Sequence, residues 1–106
     1  MAAHALDEQL EMVSNVHRRR LLLSLLAHNP QLDRPAEADR SDRAADERAL
    51  TIELRHVHLP KLAAAGYVEW DRSTGTVIKG PRFDDLEPLL TLLGENREEL
   101  PSDLSP

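Results

Sequence analysis

The chain has 106 residues, enough for one domain with a modest core and too few for two. Its 13 basic and 19 acidic residues give a formal net charge of −6, and the absence of cysteine excludes disulfides and thiolate metal sites. The most apolar segment, 21–27, is too short to span a bilayer, and no secretion signal is recognisable, so we expect a cytoplasmic protein.

The acidity bears on whether the chain binds nucleic acid. Most nonspecific affinity for DNA comes from neutralising phosphates, so an evenly acidic surface is a poor DNA ligand. Basic residues are clustered here, however, at 18–20 and again at 72, 79 and 82. High Asp plus Glu with only two lysines is also typical of very salty cytoplasm, where the screening length falls to about 3 Å at 1 M salt. The composition therefore does not exclude DNA.

The N-terminal third predicts two helices. Apolar residues at helical spacing over 6–13, behind acidic residues at its start, indicate a short amphipathic helix. A leucine-rich helix follows over 16–28, with Ser14 or Asn15 as its N-cap. The pair Asn29-Pro30 ends it, because the residue before proline avoids helical backbone angles.

The next segment, 31–48, is rich in charged residues and alanine, and Leu32 is its only large apolar residue. Two interpretations stay open for it. One is a weak or broken helix with Pro35 at its first position. The other is a solvated, partly disordered loop.

The region 50–62 predicts a central helix buried on more than one side. The alternation over 50–54 also fits a strand, and Pro60 either kinks the helix or begins a new one. The two apolar stripes of the helix are Leu50, Leu54 and Val57, and Ile52, Leu59 and Leu62.

A β-hairpin and a last helix follow. Gly66 is the C-cap glycine, and the β-rich runs 67–71 and 76–79 flank the turn 72–75. Asp84 or Asp85 caps a helix that reaches Gly94. The acidic, proline-bearing residues 95–106 predict a flexible tail.

Two segments carry a resemblance to a known family. They are SNVHRRRLLLSLL (14–26) and HVHLPKLAAAGYVEWD (56–71). Both resemble an uncharacterised winged helix-turn-helix family of halophilic archaea and, more distantly, regulators of the arsenical-resistance repressor class. The resemblance implies a winged helix-turn-helix fold, a homodimer and a role in transcription. It implies no particular ligand or operator. The sequence departs from the pattern over 36–46, where only alanines replace the large apolar residues of the first helix of the motif.

We therefore predict an α+β winged helix-turn-helix domain over residues 1–94 and a flexible tail over 95–106. The domain is expected to be mostly helical, with a two-stranded β-hairpin wing and an N- and a C-terminal helix. The function that follows is a DNA-binding transcriptional regulator. The alternative is a winged-helix module that has lost DNA contact and serves protein interaction or dimerisation.

In the DNA-binding hypothesis the helix ending at 59–65 enters the major groove and the wing lies on the backbone. Arg55 is the candidate for reading guanine, whereas Glu47 and Glu53 would repel phosphates. The candidate DNA-binding residues are Arg18, Arg19, Arg20, Thr51, Arg55, His56, Lys61, Arg72, Ser73, Lys79 and Arg82.

The terminal helices carry more leucine than a small domain easily buries, which indicates a dimer interface matching a palindromic operator. The alternative is that both helices pack on their own core. The candidate interface residues are Leu6, Leu10, Val13, Leu86, Leu89, Leu90 and Leu93.

Catalysis and metal binding have little support. The serines lack a nucleophile elbow and no glycine-rich phosphate loop is present, so we expect neither an enzyme nor a cofactor. His56 and His58 would point about 200° apart on a helix and could not share one ion. We expect hydrogen-bonding roles for them and no metal site.

Overall fold

The computed structural model describes residues 4–34 and 44–101. They form an α+β domain with a small antiparallel sheet. Within these two ranges no helix has the length and apolar character needed to cross a bilayer. The elements are α1 (Ala5–Val13), α2 (Val16–Ala27), β1 (Gln31–Leu32), α3 (Ala44–Glu53), a π-helix (Leu54–His58), α4 (Leu59–Ala64), β2 (Val68–Asp71), β3 (Thr76–Lys79), α5 (Phe83–Glu95) and a 3₁₀ turn (Arg97–Glu99).

The first two helices are joined by a capped corner. The side-chain oxygen of Asn15 accepts hydrogen bonds from the backbone N–H groups of His17 (2.8 Å) and Arg18 (3.2 Å). These are among the donors that a helix N-terminus leaves without intrahelical partners. The predicted cap is thereby confirmed as Asn15, and α2 ends at Ala27, just before Asn29-Pro30.

The segments α3, the π-helix and α4 follow one another without interruption, so the strand alternative for 50–54 is wrong. Pro60 lies in the first turn of α4. Because proline has no N–H, it cannot donate the backbone hydrogen bond to the carbonyl four residues earlier that an α-helix normally forms. The N–H of Leu59 reaches back to the carbonyl of Leu54, one residue further than in an α-helix. Proline thus begins a new helical segment here.

This long helical unit buries one face, not two. Leu54, Leu59 and Leu62 are buried, whereas Ile52 and Val57 are 56% and 52% exposed. The prediction that Ile52 is buried with Leu59 and Leu62 is therefore wrong. The prediction that Val57 is buried with Leu54 is wrong as well. The reason is tertiary, since no described element packs over that side of the helix closely enough to cover these residues.

The sheet has three strands in the order β1-β3-β2, all antiparallel. The predicted two-stranded hairpin is confirmed, and β1 adds to it a third strand that the sequence did not predict. After the Asn29-Pro30 corner, Gln31 pairs with Val77 and Leu32 with Thr76. Two residues are too few to show a strand periodicity in the sequence.

Glycines shape both ends of the hairpin. Gly66 ends α4 with a φ of +87°, and Gly75 closes the turn with a φ of +74°. These are left-handed angles that residues with a Cβ rarely adopt. The C-cap predicted at Gly66 is confirmed. The N–H of Asp33 donates to the carbonyl of Gly75 at 2.9 Å, which extends the contact between the β1 end and the turn.

One hydrophobic core joins α2, the long helical unit, the hairpin and α5. Leu100, beyond α5, also packs against it. α5 begins at Phe83, so Asp84 and Asp85 lie in its first turn and neither caps it. The largest fully buried side chains are Tyr67, Phe83, Leu22, Leu25, Leu59, Leu62, Leu86, Leu90, Val68 and Val77.

Part of the ambiguous segment 31–48 is now assigned. Residues 31–32 are β1, and α3 begins at Ala44. The first helix of the predicted helix-turn-helix falls mainly on residues 35–43, which lie outside the described residues. The same holds for residues 102–106 of the predicted tail.

Candidate functional site

A groove of about 350 Å³ lies between the long helical unit and the hairpin, and we call it the helix–hairpin groove. Its lining carries two arginines and a histidine, and none of the described residues that line it is acidic. This surface therefore differs in charge from the acidic chain around it. The lining residues are Thr51, Ile52, Arg55, His56, Pro60, Trp70 and Arg72.

Trp70 contacts both arginines of this groove. The guanidinium carbon of Arg72 lies 4.6 Å from the centroid of the indole, and that of Arg55 lies 6.0 Å away. A cation over an indole face is held by the quadrupole of the ring. Nη2 of Arg55 also donates to the carbonyl oxygen of Arg72 at 3.3 Å. The helix and the hairpin thus meet through two arginines and one aromatic ring.

Asp33 contacts both Trp70 and Arg55. Its side chain is buried, and its Oδ2 accepts a hydrogen bond from Nε1 of Trp70 at 3.1 Å and lies 3.2 Å from Nε of Arg55. Nη1 of Arg34 is 3.8 Å from Oδ1. One carboxylate thereby links the β1 end, the helix and the hairpin. We name Arg55, Asp33, Trp70 and Arg72 the groove cluster.

Sequence reasoning missed Asp33. It stands in a charge-rich segment where an aspartate draws no attention, and Trp70 is 37 positions away. No local pattern connects the two. Only the pairing of β1 with β3 brings Asp33 beside the hairpin.

The tip of the hairpin is stabilised by Asp71. Its Oδ1 accepts from the hydroxyl of Ser73 (2.6 Å) and from the N–H groups of Ser73 (3.0 Å) and Thr74 (3.4 Å). These bonds, those of Ser73 first, lower the pKa of Asp71. The hydroxyl proton of Ser73 is thus committed to the turn, which leaves its oxygen as an acceptor only.

The prediction that Arg18 contacts a DNA phosphate is wrong. Its side chain is buried, with the residue 6% exposed. Nε donates to the carbonyl of Met12 and Nη2 to that of Glu11, both at 3.0 Å, and Nη1 lies 3.1 Å from Nδ1 of His58. Carbonyls in the last turn of a helix lack intrahelical donors, and Arg18 supplies them for α1. It cannot reach DNA in this conformation.

The neighbouring arginines lie outside the groove as well. Arg19 is partly exposed and donates from Nη1 to the carbonyl of Val13 at 2.7 Å. Arg20 lines a separate depression together with Gln31 and Leu50. Neither of them is among the residues that line the helix–hairpin groove.

Three further candidate cations are engaged within the molecule. Nζ of Lys61 lies 3.2 Å from Oε2 of Glu11, and Nζ of Lys79 lies 5.1 Å from the ring of Phe83. Nη2 of Arg82 is 3.1 Å from Oε1 of Glu8. None of these three lines the helix–hairpin groove.

Glu8 connects α1 with the start of α5. The hydroxyl of Tyr67 donates to Oε1 of Glu8 at 3.0 Å, and this bond, followed by that from Arg82, lowers the pKa of Glu8. The bond with Glu8 raises the pKa of Arg82. Burial, and then the bond with Glu8, raises the pKa of Tyr67. All three shifts favour the charged carboxylate, the charged guanidinium and the neutral phenol.

The two histidines of 56–58 have different environments. His56 is exposed and lines the groove, whereas His58 is buried. Since a guanidinium only donates, Nδ1 of His58 accepts from Arg18, and its Nε2–H then donates to Oε2 of Glu53 at 2.7 Å. Across the described ranges no group of three His, Asp or Glu side chains could hold a metal ion.

The predicted dimer surface is divided. Val13, Leu86 and Leu90 lie in the hydrophobic core, so the prediction that they form an interface is wrong. Leu89 and Leu93 are partly buried against the same core. Leu6 and Leu10 are 59% and 47% exposed. The helical spacing predicted an apolar face, but it could not tell a core contact from a contact with a second chain.

Comparison with known proteins identifies a family and no function. No curated protein and no solved structure matches the chain. Residues 10–78, from within α1 to β3, match the family described as DUF7344, a domain of unknown function. This range contains every element that lines the helix–hairpin groove, and it covers more than half of the chain. The chain belongs to the DUF7344 family.

Proposed function

We propose that the chain is a winged helix-turn-helix domain that binds duplex DNA as a transcriptional regulator. The helical unit 44–64 enters the major groove and the hairpin acts as the wing. The observation that carries the proposal is the charge of the helix–hairpin groove, whose described lining has two arginines, one histidine and no acid. A chain with a net charge of −6 has concentrated cations on one concave surface.

The order of the elements supports the same function. A helix that ends in a glycine and is followed at once by a two-stranded hairpin is the arrangement expected for the C-terminal part of a winged helix. The hairpin contacts the helix through Arg55 and the carbonyl of Arg72, which sets the spacing between the two surfaces. A duplex lying against this surface would contact the helix and the hairpin at the same time.

The side chains of the groove suit different parts of a duplex. Arg72, exposed and stacked on Trp70, fits a backbone phosphate near the wing. Ile52 is exposed on the helix, and an apolar side chain there suits a thymine methyl group. The hydroxyl of Thr51 donates to the carbonyl of Glu47 at 2.8 Å, so it can only accept from a base.

The acids expected to repel phosphate lie outside this lining. Glu53 is hydrogen-bonded to the buried His58, and neither Glu53 nor Glu47 lines the groove. Their negative charge still lowers the affinity for DNA at low salt. We therefore expect the helix–hairpin groove to be the part of this surface that contacts DNA.

The test is fluorescence anisotropy with labelled random and genomic duplexes between 50 and 200 mM salt. Arg72→Ala is expected to weaken binding about threefold to tenfold and to lower the salt slope by about 0.9, the loss of one phosphate contact. Arg97→Ala, which removes an exposed arginine of the 3₁₀ turn, is the matched control and should bind like the wild type. Absence of binding at every salt concentration would exclude the proposal.

A second candidate function is a protein-interaction module. It is favoured by the exposure of Ile52 and Val57 on the same helix and by ion pairs that engage several candidate cations within the chain. Under this function the groove binds a partner protein and no duplex. The same titration separates the two, because an apolar contact surface gives no salt-dependent DNA signal.

The proposal includes a homodimer, which a palindromic operator would require. Its support is now restricted to the exposed Leu6 and Leu10 of α1. Sedimentation velocity should show a dimer that Leu6→Glu with Leu10→Glu converts to a monomer. Ile78→Glu, on the exposed face of the sheet, is the matched control and should leave the dimer intact. A wild-type monomer at high concentration would remove this part of the proposal.

A further inference from the structure

We infer that Asp33 is a built-in counter-charge that weakens DNA binding by cancelling the positive charge of Arg55 in the helix–hairpin groove. The inference rests on the proposed function and concerns the regulation of the same site. Arg72 then supplies most of the effective positive charge of the groove, because the charge of Arg55 is neutralised by Asp33.

The geometry places the carboxylate where a ligand cannot reach it. Asp33 is 3% exposed, and its Oδ2 lies 3.2 Å from Nε of Arg55. A buried charge is screened by salt much less than a surface charge. The guanidinium of Arg55 is nevertheless partly exposed and lines the groove, so a phosphate approaching it meets the field of the carboxylate behind it.

The charges near Asp33 can be counted. Arg55 and, at 3.8 Å, Arg34 are the cations whose contacts with Asp33 are seen in the described structure. Together the three residues carry a net charge of +1. Replacing Asp33 by asparagine would give +2, and replacing Arg55 by glutamine would give 0. Both replacements together restore +1.

Asparagine separates the charge of Asp33 from its shape. Its amide oxygen can accept the hydrogen bond that Nε1 of Trp70 donates to Asp33 at 3.1 Å. The site is close-fitting, since a Cβ on Gly75 would lie 3.0 Å from Oδ1 of Asp33, and asparagine has the same size. The substitution therefore changes the charge while the packing is kept.

The experiment measures duplex affinity for the wild type, Asp33→Asn, Arg55→Gln and the double variant. Asp33→Asn is expected to bind about threefold to tenfold more tightly, with a salt slope steeper by about 0.9. The double variant should bind within about twofold of the wild type, and Arg55→Gln should bind most weakly. A gain in affinity cannot result from misfolding. Trp70 is the only tryptophan, so its emission reports the state of the groove in every variant.

Glu98→Gln is the matched control for net charge. It removes one carboxylate from the exposed 3₁₀ turn and should leave affinity unchanged. If it tightens binding as much as Asp33→Asn, the effect is one of total charge and the inference is overturned. Equal or weaker binding by Asp33→Asn, with the wild type binding, also overturns it and leaves the proposed function standing.

The remaining outcomes are decisive as well. If neither the wild type nor Asp33→Asn binds, the proposed function and the inference both fail. If only Asp33→Asn binds, the wild type does not bind DNA, so the proposed function is excluded and the inference, which rests on it, is overturned with it. If Asp33→Asn does not fold, the double variant decides, because affinity about tenfold below the wild type would show that Arg55 contacts DNA with its charge uncancelled.

Discussion

Two clusters that each include residues of the helical unit 44–64 use arginine in opposite ways. In the buried arginine cluster (Arg18, His58 and Glu53), the guanidinium is covered and donates to two main-chain carbonyls and an imidazole. In the groove cluster, Arg72 lies exposed on the face of Trp70. The elements packed around an arginine therefore determine whether it stabilises the fold or is available to a ligand. Substitutions should therefore separate stability from binding.

The largest effect is expected from Arg18→Ala. It removes the donors to the carbonyls of Glu11 and Met12 and leaves Nδ1 of His58 without its partner. Loss of a buried charged hydrogen-bonding group should lower the free energy of unfolding by about 2–4 kcal/mol. Urea denaturation checks this value, and Arg72→Ala should change it by less than about 0.5 kcal/mol. Similar losses in the two variants would remove the distinction between the clusters.

Gly75→Ala should have the next largest effect, and it acts on the groove cluster through the backbone. The φ of +74° disfavours a Cβ, and this atom would lie 3.0 Å from Oδ1 of Asp33. We expect a loss of about 1–2 kcal/mol in unfolding free energy and a shift in Trp70 emission. Gly94→Ala is the control, since its Cβ would have only ordinary contact, at 3.9 Å, with Leu23. An unchanged emission spectrum would show that the turn does not position Asp33.

Trp70→Phe tests how much the hydrogen bond between Trp70 and Asp33 contributes to the stability of the groove cluster. An aromatic ring remains for Arg72, but the hydrogen bond from Nε1 to Asp33 is lost. The expected loss is about 1 kcal/mol in thermal or urea unfolding, which is smaller than that for Arg18→Ala. A loss as large as that for Arg18→Ala would mean that the groove cluster is as structural as the buried one.

The smallest effect is on acid stability and involves neither cluster. The pKa of Glu8 is lowered in the folded state, first by the Tyr67 hydroxyl, from an ordinary value of 4.5. Its stabilising contribution is therefore complete above that ordinary value and is lost as the pH falls through the lowered pKa. Melting temperatures between pH 3 and pH 7 should fall less steeply for Glu8→Gln than for the wild type. Parallel curves would contradict the role of Glu8.

Local signals predicted much of the domain correctly. The cap at Asn15, the glycine that ends α4 and the two strands of the hairpin are each set by residues within a few positions of one another. The sequence predicts the groove residues Arg55, His56 and Arg72 for the same reason, because polar side chains on a helix face and at a hairpin turn are visible in the sequence. DNA contact by these residues remains a prediction.

Local sequence signals were sufficient for the cap at Asn15, the glycine that ends α4 and the hairpin, because these depend on hydrogen bonds and spacings between near neighbours. The packing of the elements against one another determines that Arg18 is covered, that Leu86 and Leu90 belong to the core, and that β1 brings Asp33 to Trp70. Each of these depends on the burial of side chains by elements distant in the chain. Burial also determines whether a charge is solvated or must find a partner within the protein.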